Sequence, residues 1–142
     1  MEALEYSFEV EVMFYDTDVG GVVHNIAYLR FIEYARTKLA VQLGMKFEKM
    51  AEQSEFPVVV RTEIDYLKPA KLGDTLVVTS RLVSMERVRF YIDTVITRKN
   101  ESAKLIQCHQ TLAIVRMPQG KVLPAPASWR ECIPPTETGK AG

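Results

Sequence analysis

The chain has only two cysteines, Cys108 and Cys132, in 142 residues. That is too few for the disulfide framework of a small secreted scaffold, so both are expected to be reduced thiols. Excess charge is missing as well: eighteen Lys and Arg balance eighteen Asp and Glu. This excludes the broad positive field that gathers nucleic acid or anionic membrane, and it leaves any phosphate recognition to local groups. Long apolar runs are absent, the stretch Pro57 to Val60 being typical; a bilayer span needs ~20 such residues, so no membrane insertion is expected. The N-terminus carries Glu2 and Glu5 where an export signal needs basic residues and then an apolar stretch. These lacks together predict a cytoplasmic protein. Of the two histidines, His109 adjoins Cys108 while Cys132 is distant, which is not the ligand spacing of a zinc site, and no metal is expected.

What is present suits a single compact domain. Hydrophobic residues make up 47% and charged residues 25% of the chain, the composition of an ordinary globular protein. A chain of this length buries roughly two-thirds of its unfolded surface and needs no staples. One domain is expected over residues 1–132, followed by a flexible C-terminal tail over 133–142, where IPPTETGKAG has little to bury.

Periodicity places the elements. From Tyr6 to Phe14 the apolar Phe8, Val10, Val12 and Phe14 alternate with Glu9, Glu11 and Met13, the pattern of a half-buried strand. YDTDVGG breaks the alternation with turn-forming Asp and Gly. Tyr28, Ile32, Ala35, Leu39 and Leu43 then recur at helical spacing, with Arg30, Glu33 and Thr37 on the other side, predicting an amphipathic helix over Ile26 to Leu43. Asn25 is placed to cap it, for about 1 kcal/mol, and Gly44 to close it. A short helix is expected at Phe47 to Gln53. Four more strands follow in PVVVRTEIDYL, TLVVTSRLV, VRFYIDTVITR and KLIQCHQTLAIVRM, joined by short turns that imply antiparallel pairing. Val58, Val60, Ile64 and Tyr66 are read as one face of the first of these. The result is an α+β domain whose sheet of about five strands curls around one long helix.

Tyr15 to Arg36, YDTDVGGVVHNIAYLRFIEYAR, resembles the 4-hydroxybenzoyl-CoA thioesterase and YbgC-like branch of the hotdog superfamily: a DxD pair, a Gly-Val-Val turn, and a helix with Tyr-Leu and Glu-Tyr-Ala-Arg. YLKPAKLGDTLVV, Tyr66 to Val78, extends the likeness. The resemblance implies a hotdog fold and hydrolysis of an acyl-CoA thioester. It implies no cofactor, CoA being part of the substrate, and a homodimer or homotetramer with active sites at the subunit interface. It places the carboxylate catalyst on Asp18 and the backbone donor to the thioester carbonyl on Asn25. It sets Arg87 near the basic residues that hold CoA phosphates, and Arg89 beside it has the same chemistry.

The chain also departs from that pattern. Where YbgC-like relatives have Tyr-His before the helix, it has His24-Asn25, so a catalytic His cannot be carried over. In alignment with plant-type acyl-ACP thioesterases their Asn and His fall on Gly20 and Val22, which closes that route. Asp18 is left to attack the carbonyl or to activate water. Asp16 is read as a turn cap, Gly20 and Gly21 as permissive turn residues, and Trp129 as a packing anchor. His24 is a candidate to tune Asp18 or bind substrate. Glu33 is the alternative carboxylate, with an ion pair to Arg30 or Arg36 the plainer reading. A non-catalytic acyl-CoA-binding domain and an acyl-ACP thioesterase are the competing functions.

Overall fold

A computed structural model of the chain describes residues 4–133. Strand β1 (Glu5–Glu11) leads through a 3-10 turn at Phe14–Asp16 to helix α1 (Asn25–Gln42) and the short α2 (Phe47–Gln53). Strands β2 (Glu55–Tyr66), β3 (Thr75–Met85), β4 (Arg89–Arg98), β5 (Lys104–Arg116) and β6 (Lys121–Leu123) follow, and a 3-10 segment spans Ala127–Cys132. All pairings are antiparallel, in the order β1-β3-β4-β5-β2 with β6 on β5. This is the expected α+β hotdog architecture, with one strand more than the five predicted, because the PQGK turn folds back into the three-residue β6.

The inner face of the sheet packs on α1. Leu76, Val78, Leu82, Ile92, Ile96 and Ile106 on that face are buried, as are Ala27, Tyr28, Phe31, Ile32, Ala35 and Leu39 of the helix. Each large aliphatic side chain withdrawn from water contributes about 1.5 to 3 kcal/mol, so this seam holds the two layers together. Irregular register at Val59/Arg61 and at Leu82/Ser84 supplies bulges that bend the sheet around the helix.

Several boundaries differ from expectation for local reasons. Strand β1 ends at Glu11, since Phe14 enters the 3-10 turn and stands 81% exposed. Helix α1 begins at Asn25, and its cap is His24, whose ring nitrogen accepts the Ala27 N–H at 3.1 Å. Gly44, at φ +100°, closes the helix as predicted. In β2 the bulge resets the alternation: Val58 pairs with Ala113 while Ile64 pairs with Cys108, and those partners face opposite sides of β5. Val58 and Ile64 therefore do not share a face. Trp129 is the anchor expected of it, 3% exposed, with its indole N–H donating to the Leu43 carbonyl at 3.0 Å. Ile133, first residue of the expected tail, is partly buried against that cluster, and residues 134–142 lie outside the described residues.

Both cysteines are free. Burial pushes the Cys108 thiol up to about 11, so at pH 8 it holds almost no thiolate. Iodoacetamide is expected to alkylate Cys132 alone in the folded protein and both thiols in denaturant. Equal modification of Cys108 under native conditions, read by peptide mass, would contradict this burial.

Candidate functional site

The segment from Met13 to His24 doubles back on itself, and the backbone dictates where its acids sit. Asp18 N–H donates to the Val22 carbonyl and Gly21 N–H to the Asp18 carbonyl, both at 3.0 Å, while Thr17 and Val23 form a bridge. Gly21 takes φ +73°, where a side chain would be strained. Asp18 is left at the exposed tip; its Oδ1 accepts the Gly20 N–H at 3.1 Å. No partner holds the other oxygen among the described residues.

Asp16, two residues earlier, is 1% exposed and does the capping predicted for it. Its Oδ2 accepts the Met13 N–H at 2.9 Å and its carbonyl accepts the His24 N–H at 3.0 Å. Oδ1 has no hydrogen-bond partner, and the nearest cation is the Arg30 guanidinium at 4.0 Å.

The loop is fixed from outside by the KPAKLGD turn. Val23 N–H donates to the Ala70 carbonyl and Leu72 N–H to the Gly21 carbonyl, each at 2.9 Å, and Ala70 N–H donates to the Tyr28 hydroxyl at 2.9 Å. Arg98 pins this turn through Asp74 and the Pro69 carbonyl, both at 2.8 Å. Burial alone would raise the Asp74 carboxyl, but the bonds from Arg98 and the Lys71 N–H together hold it below the usual carboxylate range.

At the start of α1, His24 is committed on both nitrogens. Nδ1 accepts the Ala27 N–H, so Nε2 carries the proton and donates to the Tyr15 carbonyl at 3.1 Å. Neither nitrogen is free to move a substrate proton, and His24 acts here as a cap. Asn25 is the first helical residue, and its side-chain oxygen accepts the Tyr66 hydroxyl. The N–H groups of Asn25 and Ile26 find no acceptor among the described residues, as expected for a first helical turn. Asp18 at the tip and these two donors at the base thus belong to one pinned loop. The Tyr66 contact gave no sequence signal, because only the fold brings the end of β2 to the helix start.

Other candidates lie elsewhere. Glu33 pairs with Arg36 at 3.6 Å across one helical turn, one of the two partners anticipated. Arg87 and Arg89 stand on the β3–β4 hairpin, where the Arg87 carbonyl accepts the Ala125 N–H next to the Trp129 cluster. That is the opposite end of α1 from Asn25, ~27 Å away for a helix of 18 residues. His109 bonds Asp93 on the outer sheet face and stacks on Tyr91. No metal-holding group of His, Cys, Asp and Glu occurs among the described residues, and no helix there is long and apolar enough to cross a membrane.

Comparison with known proteins accords with the fold. The profile of the thioesterase-like superfamily matches residues 12–133. The acyl-CoA thioesterase YbgC of Haemophilus influenzae is 32% identical over 120 residues, covering 84% of this chain and 85% of that one. A 1,4-dihydroxy-2-naphthoyl-CoA hydrolase from Synechocystis is 28% identical over 130 residues, covering 90% and 94%. Among solved structures, the probable thioesterase YbaW of Escherichia coli superposes with TM-score 0.75 at 28% identity, covering 89% and 95%. A Thermus thermophilus thioesterase solved with coenzyme A and Zn gives 0.73 at 28% identity, covering 89% and 94%. With its antiparallel sheet wrapped on α1, and the match running from the end of β1 to Ile133, the chain belongs to the thioesterase-like superfamily and is a thioester hydrolase of the hotdog fold.

Proposed function

We propose that the chain hydrolyses acyl-CoA to free acid and CoA, with Asp18 as nucleophile or general base and the start of α1 as oxyanion site. The observation that carries this reading is the exposed Asp18 carboxylate, with one oxygen unclaimed, on a loop tied to the two spare N–H groups of Asn25 and Ile26. As the thioester carbonyl is attacked, charge gathers on its oxygen, and N–H donors at the positive end of a helix dipole meet it. One such donor in a water-poor site is worth about 3 to 4 kcal/mol. As nucleophile, Asp18 forms an anhydride while CoA leaves as thiolate, and water then opens the anhydride. As base, it takes a proton from the water that attacks directly. A single turnover in oxygen-18 water leaves heavy oxygen in Asp18 when water opens the anhydride at the Asp18 carbonyl, a label that the general-base route never leaves there.

A homo-oligomer is part of this proposal. Strand β2 is an edge of the sheet, and Val58, Val59 and Val60 on it are 38%, 41% and 48% exposed. A long apolar edge of this kind is a template for pairing with another strand. Two copies joined antiparallel along it set the Arg87 end of one chain beside the Asp18 end of the other. That arrangement supplies basic residues for CoA phosphates which one chain alone holds ~27 Å from the helix start.

Two substrates test the arrangement. Arg87→Ala and Arg89→Ala are expected to raise KM for acyl-CoA while leaving the matching pantetheine thioester, which lacks the nucleotide, nearly unaffected. Equal losses on both substrates would assign these arginines to the fold.

A further inference from the structure

The C-terminal half of α1, α2, β2 and the Trp129 segment enclose a cavity of about 170 Å³. Its polar lining, Glu33, Arg36 and Thr37, stands at the end nearer Asn25; beyond it the wall is apolar, with Ala40, Met50 and Trp129. Arg36 asks nothing of a ligand there. It donates to Gln110 at 2.8 Å, pairs with Glu33, and Gln110 in turn donates to Thr62 at 3.1 Å. An apolar stripe leads from the site to this mouth: Ile26 and Leu29, 65% and 37% exposed, share the helical face of Glu33 and Ala40.

Length then selects the ligand. Glu33 lies eight residues past Asn25, ~12 Å along the axis. An extended chain advances ~1.2 Å per bond, judging by a residue's three bonds, so roughly ten carbons reach only the mouth. We infer that this cavity receives the tail of an acyl group whose thioester sits at the same chain's Asn25, and that such a substrate is a long linear aliphatic thioester rather than a short or compact aromatic one. The inference rests on the thioesterase reading above. The adaptable thioethers of Met45 and Met50 in the wall suit a flexible chain.

Trp129 is the only tryptophan of the chain and lies in the cavity wall, so its fluorescence reports occupancy without any turnover. Hexadecanoic acid brominated at its ω-carbon is expected to quench Trp129 saturably, and the α-brominated isomer to leave most of the emission, because the bromine then stays outside. Ala40→Leu and Met50→Phe, two independent plugs, are each expected to abolish the ω-specific quench. They are also expected to lower kcat/KM for hexadecanoyl-CoA about tenfold or more while sparing butyryl-CoA. Equal quenching by both isomers, or equal losses on both thioesters, would overturn the pocket. An ω-specific quench without hydrolysis of any thioester would leave the pocket standing and sink the thioesterase mechanism instead.

Discussion

Asp18→Asn is expected to lower turnover by roughly 100-fold or more, the usual scale for losing a general base, at unchanged stability. The amide cannot attack a carbonyl or take a proton. Its oxygen can still accept the Gly20 N–H that Asp18 Oδ1 holds at 3.1 Å, so the turn is preserved. Asp16→Asn should behave in the opposite way. Asp16 is buried, and placing an amide where its unpartnered oxygen lies puts a donor beside the Arg30 guanidinium. An unsatisfied buried polar group costs about 1 to 3 kcal/mol. This variant should melt earlier yet keep more of its activity. Thermal melts and initial rates on both proteins separate the roles. A folded Asp18→Asn enzyme within a few-fold of wild type would move the search to Glu33.

The second large effect is expected at the sheet edge. Val59→Lys places a charge on the inner side of the edge strand β2, the side of its buried partner Leu112, where an inward-pointing charge opposes pairing with another strand. Light scattering should then give the single-chain mass of 16.1 kDa in place of a multiple of it. Hydrolysis should fall with the mass, because in the proposed assembly each site draws on both chains. A wild type that is itself monomeric, or a monomeric variant with full activity, would refute the shared site.

The long helix was legible because burial imposed its period: Tyr28, Ile32, Ala35 and Leu39 all face the sheet. Its cap was not, since His24 and Asn25 can both accept an N–H, and only the bond from Ala27 decides between them. Alternation misled in β2, where the bulge at Val60 flips the phase that the valines suggest. Asp18 stood out by its motif, and the structure puts it at the exposed tip of the loop that leads into the helix. Arg87 and the cavity were another matter. The separation of Arg87 from Asp18 and the space closed by Trp129 arise from strand order and the final 3-10 turn, neither of which periodicity encodes.

The most direct measurement follows both products of acyl-CoA turnover by the purified wild-type chain, free thiol by absorbance and carboxylic acid by mass spectrometry. The account predicts equal amounts of CoA and acid, over many turnovers, at rates far above the buffer blank and largely lost in Asp18→Asn. Thiol release no faster than the blank across short, long and aromatic acyl-CoA, with acyl-CoA binding intact, would contradict it and leave a binding domain in its place.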